Sequence, residues 1–156
     1  MYLWLVALHL VGVVVFALTH GVSMFVAFRI RSERNRDVIA AMLALSSRAN
    51  QVMYLGLLLL AVGGLGAAWN VGWLLAPWVI ASYVVLIGTI LVMYAAGAGF
   101  YYPLREGLEG SEKVARLEDE QLFATLAASR RPHLLATVGL GALVILVWLM
   151  VLKPGA

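Results

Sequence analysis

Ala68-Trp69-Asn70-Val71-Gly72-Trp73-Leu74-Leu75-Ala76-Pro77-Trp78 is the stretch that decides the fold of this chain. It lies near the middle of a block, Ala49 to Leu104, that contains no Asp, Glu, Lys or Arg. That block is too long for one membrane crossing, because about 20 apolar residues suffice for a hydrocarbon core of ~30 Å. Asn, Gly and Pro in the quoted stretch interrupt helices, and its three tryptophans favour the membrane–water boundary. The block therefore reads as two helices joined by a short hairpin.

Working outward, two further charge-free blocks appear, Met1 to Phe28 and Pro132 to Leu152. Each has the length of a single span. The expectation is an all-α integral membrane four-helix bundle, one transmembrane domain over residues 1–156. Its spans are expected at about 2–28, 49–68, 77–103 and 132–152, with a cytoplasmic segment at about 105–131. Composition agrees. Hydrophobic residues make up 63% of the 156-residue chain and charged residues 12%, against roughly 45–50% and 25% in soluble domains. Such a balance excludes a soluble globule, a disordered tail and a nucleic-acid binder. The absence of cysteine excludes disulfides, thiolate metal sites and cysteine nucleophiles.

Basic residues set the expected orientation. Arg29, Arg31, Arg34, Arg36 and Arg48 follow the first span, and Arg105, Lys113, Arg116, Arg130 and Arg131 follow the third. Only Lys153 lies on the opposite side. The positive-inside rule then places both charged loops in the cytoplasm and both termini outside, in a bacterial inner (plasma) membrane. Met-Tyr-Leu-Trp-Leu lacks a basic n-region and the first apolar block has no cleavage site, so no signal peptide is expected. No internal repeat is evident.

The second charged loop is rich in helix formers from Glu112 to Ala128, with Ser111 as a cap and Glu112 at the positive helix end. A solvated cytoplasmic helix that positions the last span is expected there. The sharper alternative is a docking element whose acids Glu118, Asp119 and Glu120 face a basic surface.

Within the spans, small and polar residues at helical spacing mark the bundle interior. The first helix offers His9, Gly12, Phe16, His20, Ser23 and Ala27, and the second Asn50, Tyr54, Ala61, Gly64 and Ala68. The third offers Ser82, Thr89, Met93, Ala96 and Phe100, and the fourth His133, Thr137, Leu140, Val144 and Trp148. Histidine at membrane depth is costly and marks function by default, or else hydrogen-bonds a neighbouring helix. No acid lies in any span and no two histidines fall at i, i+3 or i, i+4, so zinc and di-iron centres are poorly served. A haem needs only one or two axial ligands. His9, His20, His133 and Met93 are the candidate cofactor-binding residues, His20 pairing with His133 or Met93; no catalytic set is evident.

Tyr2-Leu3-Trp4-Leu5-Val6-Ala7-Leu8-His9-Leu10-Val11-Gly12 resembles the first helix of a group of small bacterial membrane proteins. That group includes the four-helix haem-containing protoporphyrinogen oxidases and the copper-resistance D membrane domain. His20-Gly21-Val22-Ser23-Met24, the Arg-rich loop and Ala44-Leu45-Ser46 resemble uncharacterised four-helix proteins associated with them. The specific likeness covers about thirty residues of helix one and its flank; its motif is an early Leu-His. It implies that His9 is a haem ligand. The oxidases' essential third-helix lysine is unmatched, since no lysine lies between Met1 and Leu104. His9, Met53, Met93 and Met150 are scattered rather than clustered for copper.

The leading functional expectation is a b-type haem-binding electron-transfer component of a larger membrane redox assembly, without catalytic activity of its own. The alternative is a cofactor-free accessory or assembly subunit; a porphyrinogen oxidase-like enzyme or copper-handling protein ranks below both. Expected partners are the lipid bilayer and other membrane subunits or a second copy, not nucleic acid.

Overall fold

Six helices, and no strand among the described residues, make up the computed structural model, which describes residues 1–109 and 118–155. Helix α1 spans Tyr2–Arg29 and α2 spans Arg36–Asn70. Helix α3 spans Pro77–Met93, continues through a π turn at Tyr94–Ala98, and passes into α4 at Gly99–Glu109. Helix α5 spans Asp119–Ala128 and α6 spans Arg131–Leu152. Four stretches are long and apolar enough to cross a membrane: α1, α2, Pro77–Leu108 and Asp119–Leu152. The chain is a multi-pass four-helix membrane bundle.

Local chemistry accounts for the helix ends. Asn35 caps α2, its Oδ1 accepting from the N–H groups of Asp37 (2.9 Å) and Val38 (3.3 Å). Helix α2 ends at the quoted hairpin, where Gly72 takes φ +75° and Trp73 N donates to Ala68 O at 2.8 Å. That left-handed position suits glycine because a Cβ there is strained. Pro77 then opens α3 at a first-turn position that needs no N–H donor.

Helix α2 starts at Arg36, well ahead of the span expected at 49. Helical backbone likewise runs past 103 to Glu109, through Pro103. The charges of Arg36, Asp37 and Arg48 mark where the chain leaves an apolar environment, and a capped helix is free to continue beyond that level. Of the helix expected over Glu112 to Ala128, the part from Asp119 is helical; Ser111, Glu112 and the rest up to 117 lie outside the described residues.

Helices α1 and α2 pack antiparallel at very close range. An ideal Cβ on Gly63 would sit 2.5 Å from the backbone N of His9 and 2.8 Å from Leu5 O. One on Gly56 would lie 2.8 Å from Phe16 N, and one on Gly12 would overlap the backbone of Leu60. Small residues let two helices meet backbone to backbone, where dispersion substitutes for the hydrophobic effect that a bilayer does not supply. Helices α3 and α6 form a second pair.

The charged end carries a compact core of Val26, Ile30, Ile39, Leu43, Leu104, Leu122 and Leu126. Leu122 and Leu126, one turn apart on α5, are 0% and 1% exposed. Helix α5 is solvated over most of its surface, and its narrow apolar face also closes this end of the bundle. Of the three acids, Asp119 meets a basic residue of the same chain, while Glu118 and Glu120 are exposed. Arg36 Nη1 meets Asp119 Oδ1 at 2.8 Å, Arg34 Nη1 donates to Phe123 O at 3.4 Å, and Arg31 Nη2 donates to Ala127 O at 3.3 Å.

Candidate functional site

Between the α1/α2 pair and the α3/α6 pair runs a mostly apolar cleft of about 540 Å³. Its volume falls within the range of small-molecule sites, about 300–1,000 Å³. The cleft runs nearly the length of the bundle, from Tyr2, Trp73, Trp78 and Lys153 at one end to Met24, Tyr101 and Tyr102 at the other. The α2 stripe of Asn50, Tyr54, Ala61, Gly64 and Ala68 lines it, as do His9, Phe16, His20, Ser23 and Ala27 of α1. Ser23 Oγ donates to Asn50 Oδ1 at 2.8 Å across the helix pair.

The α6 stripe is a correction. Leu140, Val144 and Trp148 are 54%, 68% and 51% exposed, and His133 and Thr137 share that outer face. Leu135, Gly139, Ala142, Leu143, Leu146 and Met150 face the cleft instead. The polar residues misled because Thr137 is satisfied within its own helix, its Oγ1 donating to His133 O at 2.9 Å. A hydroxyl bonded that way needs no interior partner. On α3, Ser82, Thr89 and Met93 line the cleft, with Ser82 and Thr89 also bonded back to their own helix at 2.7 Å each.

The three histidines occupy three different settings. His9 Nδ1 lies 2.7 Å from Leu60 O. A carbonyl only accepts, so Nδ1 carries the proton and Nε2 is left as a lone pair, without a hydrogen-bond partner among the described residues. A backbone carbonyl holding one ring nitrogen is the usual support of a metal-ligating histidine, fixing tautomer and ring orientation. Gly64 makes room for the ring, since a Cβ there would lie 2.9 Å from Nδ1.

His20 is stacked on Phe16, ring centres 5.9 Å apart and planes within 2°. Its Nε2 is buried without a hydrogen-bond partner. An ideal Cβ on Gly139 would sit 2.7 Å from that nitrogen and 3.0 Å from Met93 Cε. The structure thus brings His20 and Met93 together against the bare backbone of α6. Just beyond Met93 comes the π turn at Tyr94–Ala98, a feature that often accompanies functional sites. Arg131 secures it, Nη1 donating to Ala96 O at 3.0 Å with the guanidinium 4.7 Å from the Phe100 ring centre.

His133 is not brought to the cleft. It is exposed at the charged end, where Arg31 Nη1 donates to its Nε2 at 2.9 Å and Phe28 meets its ring edge-on at 5.0 Å. A guanidinium only donates, so the Nε2 lone pair is occupied. Nothing in the sequence pattern pointed to Arg31 as this partner; an arginine after a span reads first as a topology signal.

In the loop between α1 and α2, Glu33 Oε1 accepts from the N–H groups of Arg34 (2.9 Å) and Asn35 (3.1 Å), and Arg29 lies 3.0 Å from Oε2. Those backbone donors, aided by Arg29, hold the Glu33 carboxyl below the usual carboxylate range.

At the opposite mouth of the cleft, Lys153 Nζ lies 4.5 Å from the ring centre of Trp73 and 5.9 Å from that of Trp78. The two indoles meet edge to face at 5.8 Å.

A family model described as a predicted integral membrane protein (DUF2269) matches residues 3–154. The chain belongs to this family. No curated protein matches the chain, and no solved structure does. Membership of DUF2269 agrees with the multi-pass bundle. The chemistry of this DUF2269 chain has to be argued from the cleft and its histidines.

Proposed function

We propose that this protein is a small subunit of a bacterial inner-membrane redox assembly and carries a b-type haem in the cleft between its helix pairs. Both termini and the α2–α3 turn then face outward, following the Lys/Arg asymmetry of the sequence. One observation carries the reading: His9 donates Nδ1–H to Leu60 O at 2.7 Å and keeps its Nε2 lone pair on a residue that lines the cleft. A neutral imidazole whose other nitrogen is held by a carbonyl is the form of histidine that coordinates a metal. The resemblance of Tyr2–Gly12 to helix one of the haem-containing oxidases assigns the ligand role to the same residue. His20 and Met93 form a second candidate pair, though the close approach of Gly139 to His20 Nε2 leaves no space for an iron there without movement of α6.

A bound haem would supply one-electron chemistry. The chain's own residues would hold it through His9, surround it with Leu and Val side chains of α1, α3 and α6, and exclude water. Low solvent access and few charges are levers on the potential of such a centre. Porphyrinogen oxidation is not proposed, because the resembled enzymes' third-helix lysine has no counterpart. Copper handling is not proposed either: among the described residues no three His, Cys, Asp or Glu side chains cluster.

A cofactor-free accessory subunit is the second reading. It is favoured by the structural bonds that His9 and His133 already make, to Leu60 O and to Arg31. The absorption spectrum of the protein, extracted in mild detergent from its native membrane with its complex intact, separates the two. The haem reading expects a Soret band that His9→Ala shifts or abolishes while insertion is unchanged. A fully assembled preparation without haem absorbance overturns it, and the accessory reading takes its place.

A further inference from the structure

The outer mouth of the cleft gathers hydrogen-bond donors that meet no acceptor among the described residues. Lys153 sits in the left-handed conformation (φ 44°) just past the last turn of α6 and turns its ammonium onto Trp73 and Trp78. Trp78 Nε1 is buried without a hydrogen-bond partner, and Lys153, Trp73 and Trp78 all line the cleft. All eight acidic residues of the chain lie in segments 33–37 and 106–120, so none belongs to the segments that form this mouth. A cation beside an unpaired N–H, at the edge of an apolar slot, is completed by an anionic acceptor attached to an apolar body.

Helix register says where that acceptor would lie. Contact between His20 Nε2 and Gly139 aligns the antiparallel α1 and α6 at one level. The same number of residues along each helix leads from there to His9 on α1 and to Met150 on α6. Lys153 follows one turn later, roughly 5 Å further along the axis. The ammonium thus stands close above the level of His9, on the opposite wall. We infer that Lys153, with the indole N–H of Trp78, binds a propionate carboxylate of the haem that His9 would ligate. The inference rests on the haem reading and gives that ligand an orientation, carboxylates outward.

The test is a titration of the purified full chain in detergent micelles with haem, followed at the Soret band, and with metal-free protoporphyrin IX, followed by its fluorescence. The metal-free ring has the carboxylates but no iron for His9. Lys153→Gln should weaken both ligands by about fivefold, the scale of a partly screened ion pair. Lys153→Arg should retain the wild-type affinity, and Trp78→Phe, which keeps an aromatic ring but loses the N–H with part of the indole's bulk, should lie between. The dimethyl ester of either ligand should bind wild type more weakly than the acid does, with a smaller ester penalty on Lys153→Gln, where only the Trp78 N–H remains. Equal affinity of wild type and Lys153→Gln for the acids, or an ester penalty undiminished on Lys153→Gln, overturns the inference and leaves the haem reading intact. Haem binding no tighter than the metal-free ring, with a Soret band indifferent to His9→Ala, removes the haem reading; a Lys153-dependent metal-free titration then leaves a porphyrin carboxylate site. If neither ligand binds the wild type, both fall.

Discussion

Gly63→Ala adds one methyl group at a backbone-to-backbone contact of the α1/α2 seam. That methyl would meet His9 N at 2.5 Å and Leu5 O at 2.8 Å, both backbone atoms that cannot rotate away. Restoring ordinary contact at 3.5 Å or more requires the helices to separate by roughly 1 Å. Overpacking of this kind costs about 1–3 kcal/mol. The same separation stretches the 2.7 Å bond from His9 Nδ1 to Leu60 O out of range, adding about 1 kcal/mol. The expected loss is therefore about 2–4 kcal/mol, read from reversible unfolding in detergent micelles. Gly21→Ala is the matched control, because nothing lies within 4 Å of its Cβ position. It should be neutral or stabilising by up to ~1 kcal/mol through helix propensity. Wild-type unfolding of Gly63→Ala, or an equal loss in Gly21→Ala, would refute the backbone-contact account of the seam.

Three further outcomes follow from other parts of the molecule. Leu122→Ala, at a fully buried position of α5, should cost about 2–5 kcal/mol and raise amide exchange in α5 before the spans; unchanged protection there would mean that α5 is held by its arginine contacts alone. Because the folded Glu33 carboxyl titrates below its ordinary value near 4.5, its contribution to stability is complete above that pH and lost as pH falls through the lowered value. Glu33→Gln should flatten the acid limb of stability, and an unaltered limb would assign it to other carboxylates. The chain has no cysteine, so single-cysteine variants report topology directly: an impermeant reagent added to intact cells should label Asn70→Cys and not Glu120→Cys, and the reverse pattern would invert the orientation.

The spans were legible because absence of charge over about 20 residues has few alternatives in a hydrophobic chain. Helix ends were less so. Asn35 caps α2 far outside the apolar block, and nothing in hydropathy distinguishes a charged helix from a charged loop. Helix α5 was legible as a helix but not as a lid, since two leucines one turn apart say little until Ile30 and Ile39 are beside them. For the site, the proximity of His20 and Met93 followed from their common depth. The partner of His9 could not be read, because it is a backbone carbonyl, and every residue has one. The outward face of α6 was missed because the Thr137 hydroxyl is bonded to its own helix and His133 to Arg31, so neither needs an interior partner.

Arg31, Arg34 and Arg36, in the α1–α2 turn and at the start of α2, hold α5 across 83 to 96 residues of sequence. Contacts between such distant parts of a chain form late, after the entropy of closing the intervening loop has been overcome. Closure of the charged end therefore depends on the last third of the chain: without α5, Ile30 and Ile39 lose Leu122 and Leu126 from their cluster, and the three arginines lose the partners named above.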